Sequence, residues 1–282
     1  MSIPQLPQPE GLLAEVRSGV LHVTLNRPDQ RNALSAAVLD GLNHVALYAQ
    51  QAELRAIVLR GAGGMFCAGG DLKSFRDIFE DRTPDPAQIA AMNRSYGTAL
   101  AAWDRLPVVV IAAVEGAAMA GGVGLAAVAD ITIATAGTKF ALTETKLGLT
   151  PAQISPFVID RIGLHNARRL MLTSMVFDAD EAHRLQLVDE IVADSAALDD
   201  AVTRTLNQVL RCAPKANALT KELAHAALEL PRTALLDHAA QRFAQTMLAP
   251  EARDGVASFL GKRNPEWVTQ ASEATGKGAQ PQ

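Results

Sequence analysis

The groups in this chain best suited to chemistry are backbone amides bared by glycine. Val108 to Asp130 reads VVVIAAVEGAAMAGGVGLAAVAD: the β-branched run Val108 to Val114 suits a strand buried on both faces, and Gly121, Gly122 and Gly124 then remove Cβ atoms where a helix should open. The first N–H groups of a helix have no intrahelical partner and sit at the positive end of its dipole, so they can stabilise an anion or a developing oxyanion. A second turn repeats the design. Ala56 to Arg60 (AIVLR) reads as a strand and leads into GAGGMFCAGGDLKSF, where Gly69 and Gly70 precede Asp71 and Leu72 at the start of a helical pattern. Two such turns facing one pocket would supply two converging donors. Acyl-transfer and enolate chemistry needs that arrangement around a thioester oxygen that gains negative charge.

Other readings compete for the same residues. Gly122, Gly124 and Ala127 fit the loose dinucleotide pattern G-x-G-x-x-A, but its first glycine belongs in the turn leaving the strand, and here Glu115 to Gly121 intervene. Leu106 to Ala129 carries one charge, Glu115, yet Pro107 and the glycines divide it into a strand and a helix too short to cross a bilayer. Glycines that only permit tight helix-to-sheet packing are the simplest alternative, and the residues alone leave it open.

The motifs resemble those of the enoyl-CoA hydratase/isomerase (crotonase) superfamily in order and spacing. They are LNRPDQRNAL at Leu25 to Leu34, FCAGGDL at Phe66 to Leu72, PVVVIAAVEGAAMAGGVGLA at Pro107 to Ala126, and FALTETKLGLTP at Phe140 to Pro151. The resemblance runs from Leu21 to Arg263. It implies a spiral of ββα units with a C-terminal helical oligomerisation region, and an oxyanion hole made by the N–H groups of Ala68 and Gly121. It also implies a catalytic carboxylate at Glu144. The family's other catalytic glutamate would fall at position 124, which is glycine here.

That glycine shapes the expected chemistry. Adding water across a 2-enoyl thioester needs a base to activate water and an acid to protonate C2, and two-glutamate members hold the water between both carboxylates. One carboxylate can act in turn as base and acid, or can carry a proton from C2 to C4 in moving a double bond. The text TETKLGLTPAQISPFVI together with GGVGL is similar to bacterial hydratases of glutaconyl-type esters, 3-methylglutaconyl-CoA and isohexenylglutaconyl-CoA. The reading is therefore a hydratase of a branched enoyl-CoA, as in acyclic terpene, leucine or fatty acid catabolism. A Δ3,Δ2-enoyl-CoA isomerase and a non-catalytic acyl-CoA-binding member are the alternatives.

A glutaconyl ester carries a second carboxylate, for which Lys146, Arg161 and Arg168 are candidate cations by proximity to Glu144. Substrate and coenzyme A contacts are expected from Arg27, Cys67, Gly69, Gly70, Asp71, Lys73, Gly122 and Lys262, with Arg263 beside Lys262 near the adenine end. Each charge among them has a plainer reading as a solvated surface group. No separate cofactor is expected, since coenzyme A is part of the substrate.

Composition excludes other classes. At 282 residues the chain can bury a sizeable core, and a formal charge of −4 with mixed signs offers no broad basic field for nucleic acid. Cys67 and Cys212 lack metal-ligand spacing and no secretory signal precedes them, which suits reduced thiols in a cytoplasmic enzyme. There is no G-x-S-x-G elbow, H-E-x-x-H or P-loop, and the six histidines, His22, His165 and His238 among them, form no cluster. Cys67 adjoins Ala68 and so is a candidate for alkylation or a buried inert thiol. Asp130 and Glu115 read as structural carboxylates.

The elements that must position these groups follow from periodicity. Residues 1–12 are proline-rich and expected to be flexible, 13–194 to form the spiral core, 195–267 a helical region, and 268–282 a disordered tail. Val20 to Leu25 alternates as a strand, and Leu34, Val38, Leu42, Val45 and Ala49 mark a helical face after Ser35, a candidate N-cap. Ile89, Met92, Tyr96, Leu100 and Trp103 mark another helix, completing an α/β alternation. The charged stretch Arg76 to Pro86 between them reads either as a mobile loop able to cover the acyl pocket or as an ordinary surface loop. After Asp194 helices follow one another with breaks at Pro214, Pro231 and Pro250. Leu198, Val202, Leu206 and Val209 form one apolar stripe, and Leu235, Leu236, Ala239, Phe243 and Met247 form a second. Such stripes need cover, and the resemblance implies that they are buried between subunits of a homotrimer or a dimer of trimers.

Overall fold

The computed structural model describes residues 5–80 and 83–269, side chains at 74, 75, 77 and 79 excepted. Strand β1 (Leu12–Arg17) pairs antiparallel with β2 (Val20–Leu25), Leu12 opposite Leu25. The N-terminal segment, expected to be loose up to residue 12, is held before that strand: Leu6 packs on the core and Pro9 lies against Gly41. Ser35 caps helix α1 (Ala36–Gln51) through its side chain, which accepts from Val38 N, and Leu34, Val38, Leu42, Val45 and Ala49 are all buried as the periodicity requires.

Strand β3 (Ala56–Gly61) joins β2 in parallel, and helices α2 (Leu72–Glu80) and α3 (Pro86–Asp104) lead to β4 (Val109–Val114), parallel to β3 with Ile57 opposite Val110. The expected loop at Arg76 to Pro86 is corrected here: Arg76 to Glu80 continue α2, Asp81 and Arg82 lie outside the described residues, and Asp85 caps α3. Strand β5 (Ala117–Met119) then leaves the main sheet, and α4 (Gly121–Ala127) follows it. The chain repeats the move with β6 (Ile131–Thr135), parallel to β4, and β7 (Lys139–Ala141), parallel to β5.

Helices α5 (Ser155–Ile162) and α6 (Leu164–Thr173) precede β8 (Phe177–Asp178), antiparallel to β7; α7 (Ala179–Arg184) and β9 (Glu190–Val192) close the large sheet beside β6. The large sheet runs β1-β2-β3-β4-β6-β9 and the small one β5-β7-β8, with a Cys67–Ala118 bridge extending the latter toward the first glycine turn. The runs β4-β5-α4 and β6-β7-α5 each lay one strand in each sheet before a helix, the repeating ββα unit of a spiral, whereas β1 and β2 both lie in the large sheet before α1.

The β-branched runs are buried on both faces because two cores share the large sheet. Ile57, Leu59, Val110, Ala112 and Val114 enter the core under α1 and α3; Ala56, Val58, Ile111 and Ala113 enter the other, which α8 (Ser195–Val209) covers with Leu198, Val202, Leu206 and Val209. Although its sequence groups α8 with the C-terminal helices, its packing makes it a layer of the sheet domain. Helices α9 (Pro214–Glu229), α10 (Arg232–Met247) and α11 (Pro250–Leu260) begin at the expected proline breaks. Lys221 Nζ, 2.7 Å from an Asp130 oxygen, and His225 Nε2, 3.1 Å from Asp104 O, tie α9 to the sheet domain. Asp130 also accepts from Val110 N and Glu115 from Ser195 Oγ, so both carboxylates are structural. Among the described residues no helix is long and apolar enough to cross a membrane. Residues 270–282, most of the expected disordered tail, lie outside the description.

Candidate active site

The two glycine turns meet, as their sequences suggest, and the contact is made by atoms rather than by open space. A Cβ built on Gly122 would lie 2.7 Å from Cys67 O and 2.9 Å from Cys67 Cβ, and one on Gly69 would lie 2.8 Å from Ala120 Cβ. Gly69 also has φ +91, a backbone conformation that favours glycine. Met119 N donates to Cys67 O at 2.9 Å and Cys67 N to Ala117 O at 3.0 Å, fastening the turns like adjacent strands. Gly69 and Gly122 therefore act by permitting this approach. The close approach is between the two turns rather than between a helix and the sheet, and neither glycine lines the cavity beside the turns.

That cavity encloses about 440 Å³. The residues expected at the site that line it are Ala68, Gly70, Asp71, Gly121 and Glu144, together with Leu39, Leu72, Met92, Leu147 and Ile154 as apolar wall. Ala120 precedes α4 at φ 48 and ψ −113, a strained geometry for a residue with a side chain, held by its N–H to Ala141 O at 2.7 Å. The strain places Gly121 as the first helical residue, where its N–H has no intrahelical partner. Ala68 departs from expectation. Its N–H already donates to Arg31 O at 2.9 Å, so a thioester oxygen reaches it only by sharing or displacing that carbonyl. Arg31 and Asn32 are both left-handed, φ 50 and 56, and the buried Asn32 side chain holds the turn by donating to Ala62 O and Met65 O.

Glu144 opens a 3-10 turn, Glu144–Leu147, closed by Gly148 at φ 72 and pinned by Thr145 Oγ1 to Met171 O at 2.9 Å and to Ser174 Oγ at 2.6 Å. Its Oε2 is buried without a hydrogen-bond partner among the described residues. Burial raises its pKa above the usual carboxylate range, against a smaller lowering by its own backbone N–H. A carboxyl desolvated in this way holds a proton more readily than an exposed one, which suits a group that takes and returns a proton.

Several expected contacts are placed elsewhere. Arg27 is engaged with Asp71 Oδ2 at 3.0 Å and Ala33 O at 2.6 Å, so it braces the first turn from behind. Lys73 is exposed at the start of α2, and Lys262 is exposed in the turn after α11; neither lines the cavity, and Arg263 pairs with Asp254 at 2.7 Å. Cys67 is fully buried and its thiol is pushed up to about 12 by desolvation, which makes it the inert alternative. Of the cations considered for a second carboxylate, Lys146 and Arg168 are exposed outside the cavity and Arg161 is bound to Asp189 at 2.7 Å. Sequence reasoning missed Arg31, Asn93 and Gln153, which do line the cavity, and took Tyr96 for core. Tyr96 lies on the helical stripe of Leu100 and Trp103, but its hydroxyl donates to Gly121 O at 2.5 Å.

Comparison with known proteins shows the family and the fold. The family model described as enoyl-CoA hydratase/isomerase matches residues 15–270. The chain is similar to the structure of Pseudomonas aeruginosa AtuE, with 46% identity, a TM-score of 0.89, and coverage of 92% of this chain and 100% of that one. An enoyl-CoA hydratase/isomerase structure from Marinobacter aquaeolei gives 40% identity, a TM-score of 0.88 and the same coverage. Enoyl-CoA hydratase ACTT6 of Alternaria alternata is 34% identical over 257 residues, 89% of this chain and 82% of that protein.

Proposed function

Because the chain belongs to the enoyl-CoA hydratase/isomerase family, we propose that it adds water across the 2,3 double bond of a branched enoyl-CoA, a 3-substituted glutaconyl-CoA of the methylglutaconyl or isohexenylglutaconyl type. The observation that carries the reading is Glu144: a half-buried carboxylate with one unpartnered oxygen, raised pKa and a place in the same cavity as Gly121 N–H. The thioester oxygen accepts from Gly121 N–H, and from Ala68 N–H once the Arg31 carbonyl yields it. Charge withdrawn onto that oxygen leaves C3 open to water deprotonated by Glu144. The proton taken by Glu144 then returns to C2. The reaction as proposed uses no separate cofactor.

The GGVGL and TETKLGLTPAQIS resemblance and the apolar wall support a branched acyl group, and Arg31, Asn93 and Gln153 are among the lining groups able to donate to a second carboxylate, Arg31 with a charge. Gly124 leaves one glutamate at the expected pair of positions, which also favours an isomerase as second reading. Turnover on crotonyl, 3-methylglutaconyl, isohexenylglutaconyl and 3-enoyl thioesters, with product mass recorded, separates the two. Gain of one water on a glutaconyl ester is the expected result. An unchanged mass with a moved double bond makes the enzyme an isomerase, and no turnover on any ester leaves only acyl-CoA binding.

The protein as proposed also self-associates. The second stripe is uncovered in one chain: Leu236, Phe243 and Met247 are exposed, and beyond it Leu248 is 85% and Phe259 84% exposed. Light scattering is expected to give three or six times 29.8 kDa, and a monomeric mass would contradict a trimer or a dimer of trimers.

A further inference from the structure

The side chain missing at position 124 leaves a space shared by Ile154, before α5, and the α3 residues Tyr96 and Leu100. A Cβ built on Gly124 lies 2.8 Å from Ile154 Cγ2 and 3.0 Å from Tyr96 Oη, the only polar atom of the three, and one built on Gly121 lies 2.8 Å from the same hydroxyl. The phenol therefore stands where a side chain from position 124 would enter the cavity. Its own proton is committed to Gly121 O at 2.5 Å, which leaves its oxygen free to accept. Desolvation, then the neighbouring Cys67 and Glu144, hold the phenol pKa well above its usual value, so that proton stays in place.

Glu144 Oε2, in the wall of the same cavity, is an acceptor that no donor reaches among the described residues. Two acceptors share one cavity. A water molecule has two hydrogens to satisfy both, and its lone pairs are then turned away from the wall.

We propose that Tyr96 is the second water-holding group of the hydration reaction: the attacking water donates one hydrogen to Glu144 and the other to Tyr96 Oη. The proposal rests on the hydratase reading above. Glu144 takes the first hydrogen as a proton while the water oxygen bonds to C3, and the C2–C3 π pair moves onto the thioester as an enolate. The enolate pair then takes that proton from Glu144 at C2. Tyr96 gains and loses no proton; it keeps the remaining O–H of the nucleophile oriented, as a second carboxylate would.

Tyr96→Phe keeps the ring and removes the acceptor together with the hydrogen bond to Gly121 O. The expected result is a fall of about ten- to a hundredfold in kcat for hydration with KM changed by less than about threefold. Exchange of the C2 hydrogens of the saturated acyl-CoA in D2O, which needs Glu144 and the oxyanion amides but no nucleophilic water, should persist. Loss of hydration and exchange together would make Tyr96 merely structural, and loss of neither would also overturn the proposal. Tyr96→3-fluorotyrosine keeps the hydrogen bond to Gly121 O and weakens the acceptor, so a smaller fall in hydration is expected whether or not the Phe variant folds well; an unchanged rate overturns the proposal. If the wild-type enzyme moves double bonds without adding water, the hydratase reading itself fails, which these arms distinguish.

Discussion

Glu144→Gln is expected to lose about a thousandfold or more of turnover while remaining folded, because in the proposed reaction one carboxyl is both base and acid and general acid–base catalysis supplies about a hundred- to ten-thousandfold. The glutamine keeps the shape of the side chain and cannot take the proton from water. Stability separates this from a folding defect. The folded-state pKa of Glu144 is raised, so ionisation opposes folding, and the wild-type protein loses stability as pH rises from the unfolded to the folded pKa. The Gln variant escapes that loss. It should therefore be at least as stable as wild type at pH 7, with the difference shrinking in acid. Activity of the wild type should fall on the acid side with an apparent pKa above the ordinary glutamate range, since the base must be ionised. Denaturant titrations and a pH–rate profile on the active thioester check both. Near-normal turnover in the Gln variant would remove Glu144 from the chemistry.

Gly122→Ala is expected to lower turnover by about tenfold or more and to cost about 1–3 kcal/mol of stability, although alanine is normally the better helix former. The new methyl would sit 2.7 Å from Cys67 O, a backbone atom fixed by Met119 N, so relief must come from moving the two turns apart. Those turns carry Ala68 and Gly121, and a shift of an ångström in a donor weakens its aim at the oxyanion. Gly137→Ala is the control, since no atom lies within 4 Å of its built Cβ and its φ is not in the left-handed range. It should leave turnover unchanged. Equal behaviour of the two variants in denaturation and steady-state kinetics would refute the argument from contact.

Much of the frame was legible because it is written in local periods. The α1 face from Leu34 to Ala49, the strand Val20–Leu25 and the α8 stripe all follow from spacing, and burial takes each as written. Strand β1 went unseen because a proline-rich segment precedes it and only Leu12 and Ala14 along it are buried. The α3 stripe was over-read in the opposite sense: Leu100 and Trp103 are core, whereas Ile89 is exposed and Met92 lies in the cavity wall. Charge misled most. Arg27 was expected to contact coenzyme A, but its guanidinium is engaged by Asp71, 44 residues away, a distance that no local pattern spans.

The sequence by itself marked the two glycine turns as places where backbone is bared and singled out Glu144 by its motif; that Gly69 and Gly122 meet atoms of the opposite turn is a tertiary fact. Only the tertiary structure decided what fills the space beside Gly124. The Tyr96 hydroxyl arrives there from a different helix, and an i, i+4 pattern reports which face of a helix is apolar without reporting where a polar tip ends. The same limit applies to Ala68. Its motif marks the amide, while the Arg31 carbonyl that now holds it comes from a turn 37 residues earlier and is set by the packing of that turn.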